Sequence, residues 1–531
     1  MATLSHLPNH RIGRKTNTLY HPFRISIETF FHQNNVVPVA SLKEAYDLAK
    51  DEPGTIVLDQ TIAHAEALGL PKDTKILVFN DGAITGRQAQ ARVLMDDTIR
   101  DVKTTALNEH LFHERKTTYY HGTVIVGMHE DFMVRAHLCV PKGYANTLYS
   151  WMLNFQDQRA DILKMYDRSK VIEEGDLYLF SNPDATEVQA LFDEKYNCAA
   201  LLGLRYFGEH KKATLTLAWS LAKRQGYMAC HGGLKRFERA QKDPFVMAVF
   251  GLSGSGKSTI THHRSERFKK AVVLHDDAFI LHHHSLESIA LEPAYFDKVA
   301  NYPTSSSDND FILTAQNVGV TLNEHGHKVM VTEDIRSGNG RAVKSMYWTD
   351  NRVQHIAEPI TAVFWIMKDD VLPPILKIDD ATLASTLGAA LATKRSSAEH
   401  GANTEKLAFV PYANPFRLYP LEEDYRLFKT LFENPHVSCY ILNTGHYHQH
   451  KVMPHETFTW IDRVASDDVS WKPFLGYPKV FVPNDISATE SPQGLVERLK
   501  QRIDFIETLP VLEQLPSESI DALRAWIKNI I

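Results

Sequence analysis

Cysteine is scarce in this sequence: there are four in 531 residues, and no two of them form a CxxC pair. Such scattered thiols argue against a disulfide framework and against a thiolate zinc site, and they favour a reducing cytosol. The formal net charge of −6 leaves no basic excess, so the composition gives no sign of nucleic-acid binding. An anionic ligand would have to be bound by a local group of cations.

Long hydrophobic runs are also missing. The longest, PFVMAVFGL and ITAVFWIM, are far shorter than the roughly 20 apolar residues that cross a bilayer. The segment MATLSHLPNHRIGRKTNTLY at the start has no apolar stretch of the secretory type. We therefore expect a cytoplasmic protein without membrane contact, long enough for two large domains.

Short aliphatic runs alternate with polar stretches of helical periodicity, which predicts an α/β fold. We place a domain boundary near the charged segment KRFERAQKDP, giving domains 1–240 and 241–531. Predicted strands are 75–81, 122–128, 176–180, 245–252, 271–276, 327–334, 360–367 and 437–444; predicted helices are 380–395, 421–434, 455–466, 491–509 and the C-terminal tail.

A phosphate-binding pattern, G-x-x-x-x-G-K-[ST], follows the strand predicted at 245–252. Glycines let consecutive backbone N–H groups approach phosphate oxygens, the lysine adds a mobile cation, and the hydroxyl reaches a bridging metal ion. The helical stretch that follows directs its N-terminus at the phosphates. The predicted nucleotide-binding residues are Gly251, Leu252, Ser253, Gly254, Ser255, Gly256, Lys257, Ser258 and Thr259.

An acidic pair ends the next predicted strand, in the stretch VLHDDAFILHHH. A P-loop needs an acid at the end of a neighbouring strand to hold magnesium, and Asp276 and Asp277 have that position. Three consecutive histidines, 282–284, cannot all face one ion from a regular element, so we interpret them as a turn.

Four ordered segments carry a family resemblance: TGRQAQAR (85–92), RYFGEHKKA (205–213), ACHGGL (229–234) and GLSGSGKSTI (251–260). They resemble TGRSPKDK, WYGGEMKKG, MHCSAN and GLSGTGKTTL of the ATP-dependent phosphoenolpyruvate carboxykinases. The order and separations also agree, and weaker similarity runs through most of the chain. The resemblance implies a two-domain carboxykinase architecture, with a substrate domain followed by a P-loop nucleotide domain.

The resemblance also implies a reaction: oxaloacetate and ATP give phosphoenolpyruvate, ADP and CO2, in gluconeogenesis or anaplerosis, with Mg²⁺ and Mn²⁺ as cofactors. Arg87 would bind a substrate carboxylate, and Tyr206 would line the site where CO2 leaves. A lysine binds metal only when neutral, so a neighbouring cation such as Lys211 would help lower its pKa. The implied metal ligands are Lys212, His231, Ser258, Asp276 and Asp277, and Lys257 would act on the γ-phosphoryl group.

The sequence departs from the family pattern in its C-terminal half. Ala278 and Phe279 replace the Glu-His that follows the acidic pair, while Glu292 is the candidate for a later family glutamate. The family's catalytic arginine is displaced to Arg395. Arg336 resembles an arginine near the triphosphate, and Lys451 stands where an arginine is expected on the adenine side, so the chain is a divergent member.

Two other functions remain open. A kinase with this fold could phosphorylate another acceptor, although such an enzyme has no need for the Lys-His metal set. A non-catalytic nucleotide sensor is a third possibility, although pseudoenzymes commonly lose the phosphate lysine and the acidic pair. For any of these we expect small-molecule ligands, no nucleic acid and a monomer.

Overall fold

A computed structural model of the protein describes residues 21–80, 85–252, 254–303, 306–333, 338–394, 407–487 and 492–530. The chain forms two compact units. Unit 1 comprises Met1–Gln225 and Leu291–Asp350, and unit 2 comprises Gly226–Ala290 and Asn351–Ile531. The division into substrate and nucleotide domains at residue 240 stays a prediction.

The helices and strands of the described residues alternate along the chain. The helices are α1 (Pro22–Phe30), α2 (Leu42–Ala49), α3 (Arg100–His113), α4 (Ala145–Asn154), α5 (Ala160–Arg168), α6 (Phe207–Arg224), α7 (Lys257–His262), α8 (Ala381–Ala389), α9 (Leu421–Glu433), α10 (Pro454–Ala465), α11 (Pro492–Glu507) and α12 (Ser517–Ile530). The strands are β1 (Val36–Val39), β2 (Thr55–Thr61), β3 (Lys75–Phe79), β4 (Arg92–Leu94), β5 (Tyr119–His129), β6 (Phe132–Pro141), β7 (Gln156–Asp157), β8 (Leu177–Asn182), β9 (Gln189–Asp193), β10 (Cys198–Leu202), β11 (Tyr227–Cys230), β12 (Gly233–Phe237), β13 (Phe245–Phe250), β14 (Ala271–His275), β15 (Phe279–His282), β16 (Ser288–Ala290), β17 (Tyr295–Lys298), β18 (Ile312–Gln316), β19 (Gly319–Leu322), β20 (Lys328–Val331), β21 (Arg341–Lys344), β22 (His355–Ile356), β23 (Ala362–Met367), β24 (Ile375–Ile378), β25 (Ala392–Lys394), β26 (Leu407–Phe409), β27 (Ser438–Asn443), β28 (His446–Tyr447), β29 (His450–Lys451), β30 (Trp471–Phe474) and β31 (Tyr477–Pro483).

Unit 1 is built on a mixed sheet of order β1-β5-β6-β8-β10-β9-β4, with β7 paired to β5. Every residue of β8 and β10 is buried, as expected for central strands covered on both faces. Helix α6 packs against these strands and is itself buried along most of its length. A second sheet, of order β17-β21-β18-β3-β2, completes the unit's main strands.

Unit 2 contains an eight-stranded mixed sheet of order β14-β12-β13-β23-β27-β24-β31-β30. Strands β13, β23 and β27 run parallel, and every residue of β13 and β23 is buried. Strand β12 is antiparallel to both β13 and β14, so β13 and β14 run in the same direction. The C-terminal ends of β13 and β14 and the start of β12 therefore lie at one edge of the sheet.

The predicted α/β class is confirmed, and each of the eight predicted strands overlaps an observed strand. The helix predicted over 380–395 is too long. Asp380 caps its first turn by accepting a hydrogen bond from Leu383 N at 2.8 Å, but α8 ends at Ala389. Residues 392–394 instead pair with 407–409, a non-local contact that helical periodicity does not report. No helix of the described residues has the length and apolar content needed to cross a membrane.

Candidate functional site

The glycine-rich segment 251–256 connects β13 to α7 at the shared edge of the unit 2 sheet. Gly254 and Gly256 have φ angles of 78° and 97°, a region that favours glycine. A Cβ on Gly251 would lie 2.4 Å from the Ser255 hydroxyl and 2.9 Å from Ile366, so glycine is needed there for packing. Gly251, Gly254 and Gly256 therefore each occupy a place in the described backbone that calls for glycine.

Two side chains donate hydrogen bonds to backbone carbonyl groups of this segment. Lys368 Nζ donates to the Gly254 carbonyl at 2.6 Å, and Thr444 Oγ1 donates to the Ser255 carbonyl at 2.7 Å. With the carbonyl groups held in this way, the backbone can present its N–H groups to an anion. Burial and the charge of Lys451 lower the pKa of Lys368, which indicates that Lys451 lies near this cation.

Lys257, Asp277 and His231 meet at the same edge. Asp277 Oδ1 lies 3.7 Å from Lys257 Nζ and 2.9 Å from His231 Nε2. Lys257 opens α7, Asp277 follows β14, and His231 precedes β12, so the antiparallel pairing of β12 brings three distant parts of the sequence together. Ser258 and Thr259 are exposed on the first turn of α7, where their hydroxyl groups are accessible to a ligand.

The orientation of His231 is fixed by the backbone. Its Nδ1 donates to the Ala413 carbonyl at 2.5 Å, which leaves Nε2 as the nitrogen that faces Asp277. Tyr412 and Ala413 both have positive φ angles, of 50° and 54°, an uncommon conformation for residues other than glycine. A carbonyl bonded to the far nitrogen is the usual arrangement for a histidine that binds metal through the near one.

Two further histidines contact the acidic pair, and sequence reasoning missed both. His262 Nε2 lies 3.3 Å from Asp276 Oδ2, and His275 Nδ1 accepts hydrogen bonds from the backbone N–H groups of Asp277 and Ala278 at 3.0 and 3.1 Å. Burial alone would raise the pKa of Asp276, but the hydrogen bond from His262 and the nearby positive charges lower it strongly. Asp276 is therefore held as a carboxylate.

In unit 1, Arg87 lies on a segment that packs along helix α6. Glu209 accepts a hydrogen bond from the backbone N–H of Gln88 at 2.7 Å, and Arg92 contacts Thr216 at 3.5 Å. Glu209, Lys212 and Thr216 are three and four residues apart, so they share one face of the helix. Arg87 keeps access to solvent, although desolvation by the surrounding protein lowers its pKa and the charge of Glu209 opposes that shift.

Tyr206 lies at the start of α6 and is nearly buried. Its ring lies over Gly208, where a Cβ would come within 2.4 Å, so glycine at that position makes room for the tyrosine. Burial raises the pKa of the Tyr206 phenol, and a hydrogen bond with Arg341 opposes the shift. Arg341 is a cation beside Tyr206 that the sequence analysis did not single out.

The adjacent lysines of α6 have different environments. Lys211 Nζ lies 2.9 Å from Glu292 Oε1, and both side chains have no exposed surface. Asn154 donates to the other carboxylate oxygen at 2.5 Å. Lys212 keeps partial exposure, with its Nζ 5.7 Å from the centre of the Trp219 ring. Glu292 thus lies against the charge of Lys211. That Lys211 helps to lower the pKa of Lys212 stays a prediction.

Three predicted site residues, Ser253, Arg336 and Arg395, lie outside the described residues. Lys451 is exposed on β29. In the triple-histidine segment, His282 Nδ1 accepts a hydrogen bond from the Ser285 backbone N–H, and His283 bonds the Gly226 carbonyl, so these rings bind the turn itself.

Comparison with known proteins identifies the family. Residues 57–473 match the sequence model of the ATP-dependent phosphoenolpyruvate carboxykinase family. The chain belongs to this family. A curated relative, the phosphoenolpyruvate carboxykinase (ATP) of Aeropyrum pernix, is 24% identical over 322 residues. That alignment covers 56% of this chain and spans 62% of the relative's length.

The residues of unit 2 fit a divalent cation, which family members generally use together with ATP. His231 Nε2 and Asp277 Oδ1 lie 2.9 Å apart, close enough for two donors to share one ion after a small adjustment. One imidazole nitrogen and carboxylate oxygens form a donor set that suits Mn²⁺ and related ions. The Ala413 carbonyl supplies the outer contact that such a histidine needs.

Proposed function

We propose that this protein is an ATP-dependent phosphoenolpyruvate carboxykinase, a carboxy-lyase that converts oxaloacetate and ATP into phosphoenolpyruvate, ADP and CO2. The observation that carries the proposal is the meeting of Lys257, Asp277 and His231 at one sheet edge, beside the glycine-rich segment. A P-loop by itself would indicate only nucleotide binding. A histidine oriented toward the acidic pair would add a second metal site, which a carboxykinase needs and a plain kinase does not.

In unit 2, the backbone of 251–256 would bind the phosphates of ATP, and Lys257 would place its ammonium group at the γ-phosphoryl group. Ser258 and Asp276 would hold the magnesium on the nucleotide, and His231 and Asp277 would hold the second ion. When bound, a divalent cation supplies positive charge that stabilises the oxyanion formed by decarboxylation. Lys451, near Lys368, would serve the nucleotide with charge but without the flat stacking surface of an arginine.

In unit 1, Arg87 would bind a carboxylate of oxaloacetate. Arg87 is accessible from solvent, and the surrounding protein partly desolvates its guanidinium group. Both features suit that role, since a partly desolvated guanidinium binds a carboxylate more strongly than one in bulk water. Tyr206 would line the place where CO2 leaves. Lys212 stays a proposed metal ligand on the family resemblance. Arg336 and Arg395 stay proposed nucleotide and catalytic residues, and the two-domain architecture, the cytoplasmic location and a gluconeogenic or anaplerotic role are proposed with the activity.

The test is a coupled assay that follows oxaloacetate-dependent formation of phosphoenolpyruvate, with ATP, Mg²⁺ and Mn²⁺. We expect turnover in the wild-type protein, none in Lys257→Ala, and unchanged turnover in Lys269→Ala, a control at an exposed lysine beyond the same helix. If ATP is consumed on another acceptor and no phosphoenolpyruvate forms, the protein is a kinase of this fold. If ATP binds without turnover, it is a nucleotide sensor.

A further inference from the structure

His262 contacts the acidic pair from a direction that the nucleotide motif does not specify. It is the last residue of α7 and lies four residues after Ser258, so the two side chains project from the same face of the helix. Its Nε2 reaches to 3.3 Å from Asp276 Oδ2. One helical turn thus connects the hydroxyl group at the start of α7 with the carboxylate that follows β14.

Asp276 needs such a partner because its side chain is only 5% exposed. A buried carboxylate without hydrogen bonds is costly, and a carboxylate that is not held can rotate away from a ligand. His275 does not hold it in the same way, because its ring accepts the backbone N–H groups of Asp277 and Ala278 and so fixes the turn. His262 is the imidazole whose nitrogen approaches a carboxylate oxygen of Asp276.

The two residues after the acidic pair cannot donate a side-chain hydrogen bond to Asp276. Ala278 and Phe279 have no exposed surface, and neither side chain carries a polar group. The pair is instead contacted by Lys257 and by three histidines: His262 from α7, His275 from the end of β14, and His231 from the segment before β12.

We propose that His262 is a positioning residue, which holds the Asp276 carboxylate in the orientation required for the magnesium ion of the nucleotide. The inference rests on the proposed function insofar as that function assigns a nucleotide-bound metal to Ser258 and Asp276. His262 follows Ser258 by one turn, so the helix that carries the hydroxyl group proposed for the ion also carries the residue that contacts Asp276. Its role is exerted through Asp276, and it has no part in the bond changes.

The test measures how the binding of a non-hydrolysable ATP analogue depends on Mg²⁺, by calorimetry, in wild type and two variants. In His262→Ala the Mg²⁺ concentration that gives half-maximal tightening should rise about tenfold or more, the usual cost of losing an outer contact to a metal ligand. Affinity for the analogue without metal should change by less than about twofold, because the glycine-rich segment is untouched. His262→Gln keeps an amide donor at about the place of Nε2, the nitrogen that approaches Asp276, so it should recover to within about threefold of wild type.

The control is His263→Gln, which removes the neighbouring imidazole, whose ring stacks on Phe458 at 3.6 Å, and should leave the Mg²⁺ dependence unchanged. A wild-type Mg²⁺ dependence in His262→Ala would overturn the inference, and so would equal losses in the alanine and glutamine variants. If the alanine variant does not fold, His262→Leu replaces it as the variant of similar size without a donor. The phosphoenolpyruvate assay on the same samples separates the two proposals. A wild type that makes no phosphoenolpyruvate refutes the proposed activity. The Mg²⁺ dependence of analogue binding still decides whether His262 positions Asp276.

Discussion

Lys211 lies next to Lys212 on α6. The buried ion pair that Lys211 forms with Glu292 gives the most direct test of what stabilises the interior of unit 1. Its atoms are 2.9 Å apart, and neither side chain has exposed surface. Asn154 donates to the second oxygen of Glu292. The ammonium group of Lys211 and the amide of Asn154 thus both contact a carboxylate that has no exposed surface.

Replacing Lys211 by methionine keeps the bulk of the side chain and removes the charge. Glu292 would then be a buried carboxylate that has lost the ammonium group 2.9 Å from it, and breaking a buried pair from one side costs about 3–5 kcal/mol. Adding Glu292→Gln removes the remaining charge and keeps an acceptor for Asn154. The double variant should therefore recover most of the loss, with a coupling of about 2 kcal/mol or more between the two changes.

Urea unfolding of the wild type, both single variants and the double variant, followed by circular dichroism, gives the four free energies of the cycle. The exposed pair Lys43–Asp47 in the same unit provides the control, since Lys43→Met should cost less than about 1 kcal/mol. A single Lys211→Met loss as small as the Lys43→Met loss would refute the argument. A double variant with the summed loss of the two single variants would refute it as well.

Three other predictions concern the site and the pH dependence of the fold. Lys257→Ala should abolish phosphoryl transfer and leave the melting temperature unchanged, and unchanged turnover would remove Lys257 from the site. His231→Gln should raise the Mn²⁺ concentration for half-maximal activity by about tenfold, and an unaltered requirement would remove His231 from the metal site. Burial lowers the pKa of His210 from 6.5 to about 4, so between these values the unfolded chain binds a proton that the folded protein does not. The stability due to neutral His210 is thus fully present above pH 6.5 and is lost toward pH 4, by up to about 3 kcal/mol. His210→Gln should therefore lose less stability than wild type between pH 7 and 4.5 in urea titrations, and an equal loss would contradict this.

How far the sequence can predict this protein depends on the range of the interactions involved. The segment 251–258 could be predicted from the sequence, because the glycines, the buried strand before them and the helix after them are all local requirements. The strands β13, β23 and β27 are readable for the same reason, since strands buried on both faces must be continuous apolar runs. The end of α8 could not be predicted in this way, because residues 392–394 pair with the distant residues 407–409 and do not continue the helix.

The partners of the site residues follow the same rule. The sequence by itself determined the family, the glycine-rich segment and the acidic pair, and the family resemblance pointed to His231 as the histidine that joins the pair. Only the tertiary structure decided that Ala413 fixes the tautomer of His231, that His262 reaches Asp276, and that Glu292 compensates Lys211. Spacing along the chain encodes what a single helix or turn requires, whereas contacts between distant segments depend on the direction and pairing of strands that only the folded sheet sets.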